Sequence, residues 1–231
     1  MKKIILFLAV ALLATIANAQ EQKEYHKNGQ LYQIGKLENG EKTGEWKGYY
    51  ENGRLNFIGK WENGKENGEW KIYHNNGKLG AIGRYENGKQ TGVWKIYHEN
   101  EQLKGIGKYE NGKKTGEWKG YHENGRLKHI GKYENGEQTG VWKFYHNNGN
   151  RQLKQIGKRE NGKETGEWKG YHENGLLKHI GKYENGEQTG EWQFYHNNGI
   201  LYAIGKYENG EQTGAWRFYD YNGKPLESAN F

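Results

Sequence analysis

The sequence contains no cysteine, one proline and one methionine among its 231 residues. The lack of cysteine excludes disulfide bonds, thiolate nucleophiles and cysteine-based zinc sites. Hydrophobic residues make up only 32% of the chain and charged residues 27%, a balance that is typical of disordered proteins. Disordered chains are poor in aromatic residues, however, whereas this one has 9 Trp and 18 Tyr. The composition therefore predicts a thin β structure whose apolar area comes from aromatic rings.

One long apolar segment is present, and it lies near the N-terminus. Two lysines precede an apolar run over 4–16, and Ala17-Asn18-Ala19 has the small-residue pattern of a cleavage site. Residues 1–19 are therefore predicted to be a secretory signal peptide, with Gln20 as the first mature residue. The run is shorter than the roughly 20 residues that a membrane span needs. We expect a secreted bacterial protein of the periplasm, cell surface or medium, with no transmembrane segment after cleavage.

The net charge is mildly positive. The full chain has 35 Lys and Arg against 28 Asp and Glu, a formal net charge of +7, of which the predicted signal peptide carries two lysines. The basic residues are spread through the sequence rather than clustered. This distribution argues against a nucleic-acid partner, which would require a concentrated basic stripe.

Tryptophan marks an internal repeat. Eight tryptophans recur every 24 residues, except for one interval of 26 in which two further residues lengthen a turn near Asn150. They are Trp46, Trp70, Trp94, Trp118, Trp142, Trp168, Trp192 and Trp216. A fixed period of this length indicates a repeat protein in which each unit contacts its neighbours. Frequent glycine and the lack of a 3.6-residue apolar stripe argue against helices.

Each unit contains two alternating segments, each followed by a turn signal. In one unit these segments are 79–86 and 93–98, and Asn-Gly pairs follow both kinds of segment along the chain. Asn-Gly between alternating runs indicates a β-hairpin, because a type I′ turn requires positive φ at both central residues. We predict a two-residue turn at Asn52-Gly53 and a four-residue loop over 87–90.

Counting outward from these turns places tryptophan opposite glycine. Trp46 then faces Gly59, and Tyr85 faces Gly92. The structural glycine row comprises Gly59, Gly83, Gly107, Gly131, Gly157, Gly181 and Gly205. Each ring can cover the bare backbone of a neighbouring glycine, which would let few aliphatic residues hold a sheet together.

The predicted fold class is all-β. Residues 20–231 should form an elongated, single-layer antiparallel β-hairpin array of eight to nine units, a twisted or curled meander of about 17 strands. On the face away from tryptophan, Tyr97 and Lys104 should be neighbours, with lysine resting over tyrosine. At the ends, Gln22 replaces tryptophan in an atypical first strand, and the tail around Pro225 should blunt the last edge.

The unit from Tyr85 to Leu103 carries the pattern Tyr-x-Asn-Gly-x-x-x-Gly-x-Trp, followed by a second tyrosine and the final leucine. This pattern resembles the MORN repeat, in its bacterial variant form, over about 25–231. Arg159 replaces the first tyrosine in one unit, and Glu101 replaces a turn glycine in another. The resemblance implies a twisted hairpin array used for protein or lipid contacts. Some relatives carry the label YwqK-type antitoxin, which fits poorly here because an intracellular antitoxin would not need a signal peptide. Others, in host-associated bacteria, are suspected of surface or host-interaction roles.

Histidine also recurs with the repeat, at His74, His98, His122, His146, His172 and His196. Successive residues would lie two strands apart, about 9.6 Å, which is too far for shared metal ligation. Carboxylates repeat mainly in Glu-Asn-Gly turns, so no catalytic pair is singled out. The glycine-rich segments lack a phosphate-loop motif. We therefore predict no catalytic, cofactor-binding or metal-binding residues, no cofactor and no enzyme activity.

The predicted function is a secreted, non-enzymatic repeat scaffold for protein–protein interaction at the bacterial cell envelope or surface, including host contact. Two alternatives stay open. One is binding of envelope glycan or anionic lipid head groups through the aromatic and lysine rows, and the other is an antitoxin or immunity-like role. The aromatic rows themselves admit two interpretations, a groove that stacks on a peptide or glycan, or the structural core of the sheet.

Overall fold

The computed structural model describes residues 20–231, so the signal-peptide prediction for residues 1–19 lies outside the described part of the chain. The all-β prediction is confirmed: eighteen strands form one open antiparallel sheet. They are β1 (Gln20–Tyr25), β2 (Leu31–Glu38), β3 (Glu41–Tyr49), β4 (Leu55–Glu62), β5 (Lys65–Tyr73), β6 (Leu79–Glu86), β7 (Lys89–Tyr97), β8 (Leu103–Glu110), β9 (Lys113–Tyr121), β10 (Leu127–Glu134), β11 (Glu137–Tyr145), β12 (Leu153–Glu160), β13 (Lys163–Tyr171), β14 (Leu177–Glu184), β15 (Glu187–Tyr195), β16 (Leu201–Glu208), β17 (Glu211–Phe218) and β18 (Ala229–Asn230). Each strand pairs with the next in sequence, which makes the sheet a meander.

Short turns lead from each even-numbered strand to the next odd-numbered strand, and they contain two residues. Asn87 and Gly88 have φ values of 50° and 79°, and Glu86 pairs directly with Lys89. Positive φ at both positions defines a type I′ turn, which matches the twist of the flanking strands. The predicted four-residue loop over 87–90 is therefore wrong, and β7 begins four residues earlier than predicted.

A bulge in β7 then restores the register of tryptophan. Tyr85 pairs with Gln90, so its predicted pairing with Gly92 is wrong. Gly92, at φ 65°, and the residue after it are inserted opposite β6, and the pairing shifts by two residues. Because side chains alternate with a period of two, this shift leaves each of them on its original face. Gly83 therefore still lies beneath the Trp94 ring.

Long turns lead from each odd-numbered strand to the next even-numbered strand, and they are wider than predicted. After β3, the Tyr50 amide donates to the Arg54 carbonyl at 2.8 Å, and the Gly53 amide donates to the Tyr50 carbonyl at 2.9 Å. Gly53 has φ 78°, so a left-handed glycine follows a type I turn instead of the predicted two-residue turn. One residue inserted early in β4 offsets the difference, and Gly48 faces Phe57 as predicted.

The same insertion changes one predicted row on the face away from tryptophan. Tyr97 pairs with Leu103, so its predicted pairing with Lys104 is wrong. Lysine lies over aromatic rings on the tryptophan face instead. The Lys42 ammonium is 4.2 Å from the centroid of the Trp46 ring.

Both ends of the sheet have atypical strands. Gln22 occupies the tryptophan position in β1. At the other end, the tail adds the short strand β18, which brings the total above the predicted 17. The Phe231 amide and carbonyl bond to Gly214 at 3.1 and 2.9 Å, and Pro225 bridges to Tyr219. The tail therefore lies along β17 and covers much of its exposed edge.

The core lies on the tryptophan face. All eight repeat tryptophans are between 0 and 6% exposed. The ring of Tyr85 meets Trp70 and Trp94 edge-to-face, with centroids 5.3 Å apart in both pairs. These pairs recur along the array, and edge-to-face contacts of this kind add to the energy of burying the rings. A row of aromatic rings laid over glycine backbone thus forms the core of the sheet.

Most of the bulges also provide an acceptor for an indole, the exceptions being those beside Trp142 and Trp216. The Trp94 indole donates to the backbone carbonyl of Arg84 at 3.2 Å, at the position where the β6–β7 register shifts. Five further tryptophans make the equivalent bond. Since a buried N–H without a partner is costly, this bond explains how a polar ring nitrogen is accommodated in the core.

Candidate functional site

The tryptophan and glycine rows belong to the core rather than to an open groove. A Cβ atom on Gly107 would clash with the face of the Trp118 ring, and the same holds along the row. Each indole therefore has glycine backbone against one face. Tyr109 covers an edge of Trp118, with a centroid separation of 5.1 Å. A peptide or sugar could stack on these rings only by displacing core contacts, which favours the structural interpretation of the aromatic row.

The repeated histidines connect successive units. Nε2 of His98 lies 3.0 Å from the backbone oxygen of Tyr121, 23 residues later. Equivalent contacts are made by His26, His74, His146, His172 and His196. In one unit Tyr50 takes this position, and its hydroxyl donates to the Tyr73 carbonyl at 2.6 Å. Within residues 20–231 no three His, Cys, Asp or Glu side chains gather as a metal site.

Two further sets of bonds join the units. At the long turns, the Asn100 side-chain amide donates to the Glu123 carbonyl at 2.7 Å, while its oxygen accepts from the Gln102 amide at 3.0 Å. At the short turns, the Gly88 amide donates to the Glu66 carbonyl at 2.9 Å. Both bonds recur along the array, so both edges of the sheet hold neighbouring units together.

Two other histidines pack inside the core. His129 and His179 face Gly120 and Gly170, and each ring contacts a tryptophan, at a centroid distance of 5.8 Å. Burial lowers the pKa of His129, and the nearby Lys128, Lys114 and His122 lower it further. Burial also lowers the pKa of His179, with added effects of Lys178 and His172. Burial therefore favours the neutral form of both rings.

Acid should destabilise the fold through these two rings. A lowered folded-state pKa means that the unfolded chain takes up protons more readily, so stability falls as the pH drops below the unfolded value of about 6.5. The double variant His129→Phe/His179→Phe should lose less stability on acidification, because phenylalanine takes up no proton. The sheet should accommodate the new rings, since Phe57 already occupies the equivalent position. Urea unfolding at neutral and mildly acidic pH measures the difference, and an equal pH dependence in both proteins would contradict it.

Arg159 stands where most units have a tyrosine, and it keeps the core polar at that point. Its guanidinium lies 5.7 Å from the Trp168 ring and donates to the Glu164 carboxylate at 2.6 Å, with a second contact to Gln138. The charge is thus paired and stacked on an aromatic ring, as a half-buried arginine requires. The cluster is a substitution within the core in which the two terminal guanidinium nitrogens are bonded internally, while Nε has no partner among the described residues.

Open grooves lie between the units at the long-turn edge. One, of about 400 Å³, is lined by His98, Tyr121, His122, Lys128 and Asn147 among others. The preceding unit has a groove of about 370 Å³ lined by residues at the equivalent positions, numbered 24 lower. A catalytic cleft would differ from its copies, whereas these grooves repeat with the sheet.

The face opposite tryptophan, here called the charged face, gathers the basic residues into two rows. The sequence suggested an even spread, but pairing aligns Lys36, Lys60, Arg84, Lys108, Lys132, Lys158, Lys182 and Lys206 in the first row. The second row contains Lys47, Lys71, Lys95, Lys119, Lys143, Lys169 and Arg217, which alternate with isoleucines. Six residues of the first row face a glutamate of the neighbouring strand, whereas Lys108 and Lys158 face valine. The second row faces isoleucine alone, which makes this part of the charged face a candidate surface for an anionic partner.

A second candidate surface is apolar and lies at the long-turn edge of the last units. This C-terminal patch comprises Leu176, Ile200, Tyr202, Tyr221 and Leu226. Tyr202 and Tyr221 are 46% and 49% exposed, and both rings pack against His196, at centroid distances of 5.1 and 4.4 Å. Middle units carry lysine, arginine or glutamine in place of most of these residues. The first unit has Tyr32 at the Tyr202 position, likewise against a histidine, but Gln30 at the position of Ile200, so the aliphatic part of the patch is specific to this end of the array.

The repeat agrees with a known family along its whole described length. Nine matches to the family model described as MORN repeat variant cover residues 21–39, 42–63, 66–87, 90–111, 114–135, 138–156, 164–185, 188–209 and 212–231. The chain belongs to the MORN repeat variant family. This MORN-variant array is a repeat scaffold, and all-β arrays of this kind are typically non-catalytic.

Comparison with solved structures adds little to the family assignment. The chain is 15% identical to the complex titled TcdB2-TccC3-Cdc42, covering 85% of this chain and 12% of that one, with a TM-score of 0.21. It is 14% identical to TcdB2-TccC3-TEV, covering 92% of this chain and 14% of that one, with a TM-score of 0.23. A comparison with curated proteins found no match. Among residues 20–231, no helix has the length and apolar character needed to cross a membrane.

Proposed function

We propose that this MORN-variant protein is an exported, non-enzymatic scaffold that binds a protein partner at the bacterial cell envelope or surface. The observation that carries the proposal is the C-terminal patch. Its tyrosines and leucines are exposed although the core of the sheet is already filled by buried tryptophan. Exposed apolar clusters with a polar surround mark interaction sites, and tyrosine is enriched in the centres of protein interfaces.

The composition of the C-terminal patch supports a protein partner over a charged polymer. The position that Tyr202 occupies is lysine in four middle units, at Lys104, Lys128, Lys154 and Lys178. Replacing that lysine by tyrosine removes charge and adds a rigid, amphipathic ring, which loses little side-chain entropy on binding. The predicted signal peptide over 1–19 supports a location outside the cytoplasm, where such a partner would be met.

A resurfaced variant tests the proposal. In Leu176→Arg/Ile200→Lys/Tyr202→Lys, each new residue is one that another unit already uses at that position, as in Arg126, Lys78 and Lys178, so the fold should be kept. The wild-type chain without residues 1–19 and this variant are immobilised, exposed to the envelope fraction of the producing bacterium and cross-linked. We expect a protein that wild type retains and the variant loses. Identical captured proteins, or none, would contradict the proposal.

A further inference from the structure

Two units carry valine at one position of the charged face, the residue directly before tryptophan. Five other units have glutamate at this position, and the last has Ala215. The glutamates are Glu45, Glu69, Glu117, Glu167 and Glu191. Val93 and Val141 replace them, and they are 58% and 55% exposed. Exposed valine at both places is not explained by packing.

The valines leave lysines without a carboxylate partner. Val93 faces Lys108 across the strands and stands two residues from Lys95. Val141 faces Lys158 and stands two residues from Lys143. We call these two groups of residues the valine sites. Lys95 and Lys143 have no carboxylate within 4.0 Å in residues 20–231. Lys108 has none and Lys158 has only Glu160 at 3.8 Å, but Lys60 and Lys132, which face glutamate, make no such pair either, so the change brought by valine concerns Lys95 and Lys143.

The units that retain glutamate show what the substitution changes. Lys47, Lys71, Lys119 and Lys169 each pair with the glutamate two residues before, at 2.8–3.4 Å, and all four are half-buried. Lys95 and Lys143, at the same position beside valine, are exposed. Without the carboxylate, the ammonium groups extend into solvent above an apolar side chain, where they can meet an external anion.

We propose that the two valine sites together bind an extended, acidic polypeptide segment that runs along the array. The sites lie on β7 and β11, four strands or about 19 Å apart. An extended chain covers that distance in about six residues. A carboxylate can pair with the lysines of each site, and an apolar side chain between two carboxylates can rest on the exposed valine. This inference rests on the proposed protein-binding function for the class of ligand.

A flat anionic membrane fits this surface less well than a narrow segment does. On the same strands and the same face, the residues next to the first basic row are Glu86, Glu110, Glu134 and Glu160, and all are exposed. They stand two residues from the first row, about 7 Å, and four residues from the second row, about 13 Å, which is beyond the Debye length of about 8 Å at physiological salt. A bilayer spread across the face would meet this acidic edge, whereas a single segment along the second row lies beyond its range.

A synthetic peptide provides the test. Glu-Leu-Glu-Ser-Gly-Ser-Glu-Leu-Glu has two leucines six residues apart, each between carboxylates. Its binding to the chain without residues 1–19 is followed by fluorescence anisotropy at low salt. Val93→Glu/Val141→Glu gives these units the residue that five others carry, so it should fold like wild type. We expect the double variant to bind at least about tenfold more weakly, since both sites are lost.

Two matched controls sharpen the result. Glu117→Val, between the two sites, should create a third site and strengthen binding by about threefold, which no misfolding could mimic. A peptide with glutamine in place of glutamate should not bind. Equal binding of the glutamate peptide to wild type and double variant, or no binding to wild type, would overturn the inference.

Polygalacturonate and vesicles of phosphatidylglycerol and phosphatidylcholine in equal parts serve as competitors. Tighter binding of either to wild type, lost in the double variant, would assign the surface to that class of ligand and overturn the polypeptide assignment. The substitutions at the valine sites leave the C-terminal patch intact, and resurfacing that patch leaves the valine sites intact. Peptide binding and partner capture can therefore fail independently of each other.

Discussion

Replacing Trp118 by alanine should lower the free energy of unfolding by about 3–5 kcal/mol, as removal of a fully packed aromatic side chain does. The ring is 4% exposed, lies over Gly107, and donates its indole N–H to the Lys108 carbonyl at 3.1 Å. Its removal would leave a cavity in a core only one side chain thick, and it would leave that carbonyl without the indole donor. Urea unfolding followed by circular dichroism measures the loss.

The loss of stability in the Trp118 variant should also be local. Because each unit contacts only its neighbours, hydrogen exchange should accelerate most in β8–β10 and less in distant strands. Trp118→Phe serves as the control, since it keeps most of the buried area and loses the indole bond. A loss of under about 1 kcal/mol for the alanine variant would show that the row is not the core of the sheet.

Gly107→Ala should also destabilise strongly, by about 1–3 kcal/mol, although it adds a single methyl group. The new Cβ would clash with the face of the Trp118 ring, so the indole or the backbone would have to move. Thermal and urea unfolding give the change directly.

Gly105→Ala is the matched control for this variant. Gly105 lies two residues away on the same strand and the same face, and a Cβ there would meet only the Lys119 carbonyl oxygen, at an ordinary 3.5 Å. Ala81 and Ala203 already occupy the equivalent position in other units. We expect this control to be neutral or to stabilise by about 0.4–1 kcal/mol, through the unfolded chain. Equal destabilisation by both variants would mean that glycine is needed for backbone reasons rather than to fit tryptophan.

Period and face were predictable from sequence, whereas turn geometry was not. Tryptophan spacing alone predicts the number of units, and alternation predicts which residues share a face. Both kinds of turn contain Asn-Gly, however, and only φ separates them: Asn87 is left-handed at 50°, whereas at the long turn only Gly53 is, at 78°. The predicted register away from the turns is nevertheless correct, because a bulge in the adjoining strand offsets the difference between the predicted and the observed turn length.

The contacts between units and the candidate surfaces could not be predicted from the sequence, for a different reason. The histidine at position 98 bonds to a backbone oxygen 23 residues away, and a carbonyl leaves no mark in a residue pattern. Val93 and Val141 are visible in the sequence as departures from glutamate, but their meaning depends on which lysine each one faces. Charge is spread uniformly along the chain, and the fold arranges it in rows across the strands.

The lengthened turn at Asn147–Gln152 has a consequence for protein engineering. Its two further residues leave the sheet unchanged: the His146 amide still closes the loop on the Gln152 carbonyl at 2.9 Å, and its ring still reaches Tyr171 in the next unit at 2.9 Å. The length of this loop can therefore change without altering the hydrogen bonds between the strands beside it. The loop is a natural grafting point, where a foreign epitope or reporter segment could be displayed at a defined height along the array without disturbing the modules on either side.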